Sequence, residues 1–134
     1  MESCACLYCG TSLKERWQKK FCSNHCQANY QYKIFIEDWL AGNRVVVTKN
    51  ISRHIKRFMI ERDGEKCSVC GWKKKHPITL RVPLEVDHVD GNADNNVNSN
   101  LQLLCPNCHS LTLLYRNLNK GNGRSWRNKP DVQK

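Results

Sequence analysis

Leu80-Arg81-Val82-Pro83-Leu84-Glu85-Val86-Asp87-His88 alternates: Leu80, Val82, Leu84, Val86 and His88 fall on one side, Arg81, Pro83, Glu85 and Asp87 on the other. A period of two marks a half-buried strand. The stretch that follows, Asp90-Gly91-Asn92-Ala93-Asp94-Asn95-Asn96-Val97-Asn98-Ser99-Asn100, is dense in turn formers, and Leu101-Gln102-Leu103-Leu104 reads as a short return strand. Pro106 and Asn107 then open a helix with Leu111, Leu114, Tyr115 and Leu118 as its core stripe and His109, Thr112 and Arg116 on a different face. Strand, loop, strand, helix is a β-hairpin packed on a helix, hence a small α+β fold. It ends the first strand on Asp87-His88 and sets His109 at the helix start opposite.

Cysteines bracket this hairpin. Cys67-Ser68-Val69-Cys70 is followed after 34 residues by Cys105-Pro106-Asn107-Cys108, and each two-residue spacing lets a tight knuckle aim both sulfurs at one ion. Four thiolates complete a closed tetrahedral zinc site. Gly71 supplies the permissive backbone that such a turn needs. A second cluster lies near the start, Cys6-x2-Cys9-Gly10-x11-Cys22-x3-Cys26, where a loop rich in Lys and Arg joins two close pairs. It predicts a second zinc held by Cys6, Cys9, Cys22 and Cys26, with His25 an alternative to Cys26 and Cys4 an alternative to Cys6. Each structural zinc can contribute on the order of 10 kcal/mol of apparent folding free energy, which suits a chain with little core.

Between the clusters, Ala28, Tyr32, Phe35, Ile36 and Trp39 keep helical spacing up to Gly42, so a first zinc module with its helix covers 1–43. A linker over 44–52 leads to a second helical pattern with Ile51, Ile55, Phe58 and Met59 on one face. The second domain takes 53–134, and its last residues, from Asn119 on, read as a basic tail without a core.

Composition narrows the function. The chain has 134 residues, nine cysteines, and 22 Lys+Arg against 12 Asp+Glu, a formal charge of +10. No apolar run approaches the ~18 residues of a membrane span, and the start MESCACLYCG lacks the basic and apolar regions of a secretory signal. The expected location is therefore the reducing cytoplasm, where so many thiols indicate metal rather than disulfides. The positive charge favours a polyanionic partner, most simply nucleic acid. Lys73, Lys74, Lys75, Arg116, Lys120, Arg124 and Arg127 flank the hairpin in sequence and suit phosphate contacts, which give affinity and salt dependence but little sequence reading.

Three stretches together carry a resemblance: Cys67-x2-Cys70-Gly71, then Val86-Asp87-His88-Val89-Asp90-Gly91-Asn92, then Asn100-Leu101-Gln102-Leu103-Leu104-Cys105-Pro106-Asn107-Cys108-His109-Ser110. Across roughly 53–125 the chain resembles the HNH endonucleases, the ββα-metal or His-Me finger group. The resemblance implies a ββα-metal core stabilised by the Cys4 zinc site and preceded by the small zinc knuckle and helix. It also implies His88 as general base, Asp87 and His109 as holders of a catalytic metal, and Asn100 as the residue that steadies the loop, a role Asn95 or Asn96 could take instead. DNA as partner, a phage or homing setting, and host cytoplasm if phage-encoded come with it. The Phe21-Cys22-Ser23-Asn24-His25-Cys26 knuckle resembles N-terminal zinc modules of some phage-type relatives.

The chemistry agrees with those roles. A phosphodiester resists hydrolysis because water is a poor nucleophile, the phosphate repels anions and the leaving oxygen must carry charge. A histidine with an ordinary pKa near ~6.5 can take a proton from water at neutral pH, which typically contributes about 10²- to 10⁴-fold. One carboxylate, one imidazole and waters suit Mg²⁺ or Mn²⁺ as a Lewis acid. No organic cofactor is expected, and whether the chain is a monomer or a dimer is left open. The rival from another class is a non-catalytic zinc protein that binds nucleic acid through its two modules and tail.

Overall fold

The computed structural model describes residues 4–46 and 52–120, which divide into two compact units, Met1–Arg44 and Val45–Lys134. In the first, the chain makes an isolated antiparallel bridge between Ala5 and Ser12 and then enters α1, Asn24–Leu40. Ser23 starts this helix: its hydroxyl accepts from the Cys26 backbone N–H, one of the donors that a helix start leaves without a partner. Ile36 and Trp39 are buried, Tyr32 and Phe35 half-buried and Ala28 exposed, so the apolar stripe is narrower than its spacing suggests. Phe21 packs on Tyr30 with ring centroids 5.3 Å apart.

The second unit is built around α2, Arg53–Asp63, and two strands, β1 over Glu85–His88 and β2 over Leu101–Leu104. The strands pair antiparallel with Glu85 opposite Leu104, Val86 opposite Leu103, Asp87 opposite Gln102 and His88 opposite Leu101. A lone two-stranded hairpin is marginal in water. Here α2 packs on β2, and its Ile55 and Met59 are fully buried, as are Leu103 and Leu104 on the two sides of the ribbon. Truncating such a side chain to Ala typically costs about 2–5 kcal/mol. Lys56 reaches across from α2 to donate to the Leu84 carbonyl at 2.7 Å. Val46 belongs to this unit, buried with its carbonyl accepting from Asn96 Nδ2 at 2.6 Å, whereas 47–51 of the expected linker lie outside the described residues.

Two elements are shorter than their patterns predict. The first strand begins at Glu85, not Leu80. Leu80 sits in a left-handed turn with φ 56°, its N–H donating to the His76 carbonyl, and Pro83 has no N–H to give a ladder. Val82 and Leu84 are nonetheless buried, because the alternation describes which side chains go inward even where no partner strand runs alongside. The last α-helix, α3, covers only Pro106–Ser110, and a separate 3-10 turn follows over Arg116–Asn119. The Thr112 hydroxyl donates to the His109 carbonyl at 2.9 Å, a local bond that competes with helix continuation. The expected stripe therefore dissolves: Leu111 and Leu118 are exposed and only Leu114 and Tyr115 are partly covered. Arg116 consequently does not share a helix face with His109.

Candidate active site and metal centres

Both cysteine clusters converge. The sulfurs of Cys6, Cys9, Cys22 and Cys26 lie within 4.8 Å of one another, as do those of Cys67, Cys70, Cys105 and Cys108. Pairs such as Cys9–Cys22 at 3.6 Å, Cys22–Cys26 at 3.4 Å and Cys70–Cys105 at 3.7 Å sit close to the ~3.8 Å edge of a tetrahedron with metal–sulfur bonds of ~2.3 Å. The two first knuckles share one construction, with the N–H of Gly10 or Gly71 donating to the carbonyl of Cys6 or Cys67 at 2.9 Å and the glycine in the left-handed region. Neither Cys4 nor His25 joins a cluster among the described residues, and His25 Nε2 instead meets Asn29 Nδ2 at 2.8 Å.

Crowding divides the protons within each cluster. The Cys9 backbone N–H is the main influence that brings Cys6 down to about 6. Burial works against ionisation of Cys67, yet the N–H groups of Cys70, Cys105 and Val69 outweigh it and bring this thiol to about 6 as well. Cys22, bonded to the Cys26 sulfur, and Cys108, facing that of Cys70, are pushed up to about 12. Four sulfurs this close cannot all be anionic without a cation among them, which is the donor set of a structural metal site.

The second cluster aims the hairpin. Ser68 N–H donates to the Leu103 carbonyl at 2.8 Å, tying the first knuckle to β2, and the Cys105 sulfur caps α3 through the Cys108 N–H. His109 follows Cys108 directly, and α3 packs on both strands. The His109 ring reaches the side of β1 that carries Asp87 and Glu85. Nδ1 is 3.3 Å from Asp87 Oδ1 and Nε2 is 3.2 Å from Glu85 Oε2. The Asp87 carboxylate is largely buried, and Gln102, its cross-strand partner, donates to Oδ2 at 2.9 Å, leaving Oδ1 for His109. Although that 3.3 Å separation counts as an ion pair if the ring is protonated, His109 Nδ1 is buried without an aligned hydrogen bond. A carboxylate oxygen and an imidazole nitrogen converging without a proton shared between them is an arrangement that fits a divalent cation. Tyr115 backs the ring edge-on, with centroids 5.3 Å apart.

His88 takes a different partner. Strand alternation sends it away from Asp87, and its Nε2 lies 2.8 Å from Asn96 Oδ1. The Asn96 amide nitrogen donates to the carbonyls of Val46 and Ala93, so the oxygen must face the imidazole and accept. His88 Nε2 therefore carries its hydrogen and Nδ1 keeps the lone pair. Asn100, buried, braces the same loop: Oδ1 accepts from Asp90 N–H at 3.0 Å, and Nδ2 donates to Asp90 Oδ1 and the Asn95 carbonyl, both at 2.8 Å. Burial opposes ionisation of Asp90, but the Asn95, Asn92 and Asn100 donors around it prevail and lower its pKa. Asn95 serves the same brace, its Nδ2 bonding Asp90 Oδ2 at 2.7 Å.

These contacts distribute the sequence candidates. Asp87 and His109 come together, His88 follows Asp87 on the chain and faces the other side of the ribbon, and Asn100 holds the loop rather than touching any of them. Lys73, Lys74, Lys75, Arg116 and Lys120 are exposed, with the Arg116 guanidinium 5.0 Å from the Tyr115 ring centroid, while Arg124 and Arg127 lie outside the described residues. Sequence reasoning missed Glu85, Gln102 and the part played by Asn96. Glu85 was visible, since it shares the strand face of Asp87 two residues away.

Residues 67–112 match the HNH endonuclease family, a span that holds both knuckles of the second cluster together with Asp87, His88, Asn100 and His109. This segment is an HNH domain. The chain is also similar to the H-N-H endonuclease F-TflIV of Escherichia phage T5, 48% identical over 95 residues, 71% of this chain and 40% of that protein. The chain thus spans about two fifths of the length of this curated relative. No solved structure matches it. Among the described residues no helix is long and apolar enough to cross a membrane.

Proposed function

We propose that the chain is a divalent-metal-dependent endonuclease that hydrolyses DNA phosphodiesters, leaves 5′-phosphate and 3′-hydroxyl ends and nicks one strand per encounter. The observation that carries this reading is the convergence of Asp87 Oδ1 and His109 Nδ1 at 3.3 Å on an HNH hairpin whose next residue, His88, is held by Asn96. Asp87 and His109 would hold Mg²⁺ or Mn²⁺, with Gln102 and Glu85 orienting them, and the two Cys4 clusters would hold zinc. When bound, the divalent ion supplies Lewis acidity to the scissile phosphate and its leaving oxygen. His88 acts as general base: Asn96 keeps Nε2–H occupied, so Nδ1 accepts the proton of the attacking water. Asn100 acts at a distance, fixing through Asp90 the loop that carries Asn96. Lys73, Lys74, Lys75, Arg116, Lys120, Arg124 and Arg127 would neutralise backbone phosphates.

We further assign the zinc module to 1–43, the linker to 44–52 and the nuclease domain with its basic tail to 53–134. A reducing host cytoplasm suits eight ligand thiols, and a phage or homing role follows the similarity to the phage T5 protein. The test is incubation of the purified chain with supercoiled plasmid and Mg²⁺ or Mn²⁺, beside His88→Ala at unchanged zinc content and circular dichroism. Relaxed circles should appear with the native chain alone. If no divalent ion supports nicking, the chain is a non-catalytic zinc protein that binds nucleic acid.

A further inference from the structure

We propose that residues 14–20 of the first unit form a contact for an unpaired DNA strand, with Trp17 stacking on a base and Lys14, Arg16, Lys19 and Lys20 meeting the phosphates on either side. The proposal rests on the DNA reading above and adds to it a preferred substrate form. Trp17 is 70% exposed, an unusual place for the largest apolar side chain. It sits at the tip of a loop whose shape is fixed. The Gln18 side chain accepts from the N–H groups of Lys14 and Glu15 at 3.0 and 3.1 Å and donates to the Cys22 carbonyl at 3.1 Å. Gln18 N–H bonds the Glu15 carbonyl at 2.9 Å, and Leu7 N–H bonds that of Lys20 at 3.0 Å. At its two ends Cys9 and Cys22 belong to one cluster, their sulfurs 3.6 Å apart. The indole is therefore presented by a braced turn, and little further ordering is needed when it binds.

Charge is concentrated in the same place. Of the Lys and Arg described in this unit, Lys33 and Arg44 face carboxylates, Glu37 at 3.9 Å and Asp38 at 3.8 Å. The other four are those of the loop, all exposed, and none forms an ion pair among the described residues. An aromatic face flanked by cations is the arrangement that binds single strands, since every base has a π-face and every nucleotide a phosphate. A base inside a duplex is already stacked on both sides, so Trp17 has a partner only where a strand is unpaired.

The experiment measures fluorescence anisotropy of labelled (dT)15 and of a 15-base-pair duplex with the full chain, in a His88→Ala background so that nothing is cut. Trp17→Ala should weaken (dT)15 binding about tenfold and duplex binding less than twofold, and Trp17→Phe, which keeps an aromatic face, should lose less. Lys19→Ala with Lys20→Ala should lower the salt dependence for (dT)15. Equal affinities of Trp17→Ala and its parent for (dT)15 would overturn the proposal, as would equal losses on both substrates or tighter binding of (rU)15 than of (dT)15. Plasmid nicking by the chain with His88 intact is scored separately. Its failure removes the endonuclease reading, whereas a selective loss on (dT)15 stands or falls without it.

Discussion

His88 Nε2 and Asn96 Oδ1 lie 2.8 Å apart, and through the same amide His88 is tied to the Val46 carbonyl, a backbone group from a segment that precedes α2. One buried asparagine thus sets both the tautomer and the orientation of the proposed base. Asn96→Ala should lower kcat by about tenfold or more, a part of what general-base help contributes, with the KM for DNA little changed. Because the substitution also leaves buried polar groups unmatched, a stability loss of about 1–3 kcal/mol in urea unfolding should accompany it. An unchanged kcat would mean that Asn96 has no part in orienting the base.

Glu85 Oε2 lies 3.2 Å from His109 Nε2, where it can orient the ring with Nδ1 toward the metal. Partners of this kind are typically worth 10- to 100-fold in metal affinity. Titration calorimetry with Mn²⁺ should show a loss of about that size in Glu85→Ala and a smaller one in Glu85→Gln, which retains an acceptor oxygen. Equal affinity in Glu85→Ala and the native protein would assign Glu85 to the surface.

Gly91 has φ +72°, and an added Cβ would stand 2.6 Å from both Asn119 Oδ1 and Leu114 Cδ1. Its carbonyl also accepts from Asn119 Nδ2. Gly91→Ala combines backbone strain with a clash and should cost more than about 1 kcal/mol, read as a lower melting temperature. Cleavage should fall with it, since the turn joins His88 to the loop that orients it.

Capture of metal by the cysteine clusters should expel protons. At pH ~7.5 Cys6 and Cys67, drawn down to about 6, are thiolates, while Cys22 and Cys108, at about 12, still carry hydrogen. Zinc binds the deprotonated form, so at least one proton should leave each cluster on loading, detectable with a pH indicator in weak buffer. Affinity rises with pH, and it should fall more steeply with each unit of acidification below about 6, where Cys6 and Cys67 protonate too. Chelator at neutral pH should unfold both units, visible as loss of the α1 and α2 circular dichroism signal. Helical signal surviving complete zinc removal would contradict a folding role for the metal.

Much of this architecture was legible in the chain because its strongest signals are local. Cys-x2-Cys-Gly dictates a knuckle, and the alternation around Asp87-His88 dictates a strand, whatever surrounds them. Helix length at Ser110 was not legible, since Leu111, Leu114 and Leu118 keep a helical period while a single hydroxyl at Thr112 competes for the carbonyl. Nor were the partners of the site residues, which depend on register and on folding of the asparagine-rich loop. Five asparagines between Asp90 and Leu101 look interchangeable on paper. Only the fold makes Asn96 face His88 and Asn100 face Asp90.

The pairing of Asp87 with Gln102 and of His88 with Leu101 also limits how such a domain can vary. Inserting or deleting one residue within Glu85–His88 would exchange the two sides of the ribbon, turning the base toward His109 and the carboxylate toward the asparagine loop. An indel in the exposed stretch Lys73–Lys75, past the knuckle, would leave that parity untouched. Engineered length changes are therefore admissible beyond the knuckle and forbidden within four residues of strand, a reading-frame rule written in side-chain direction.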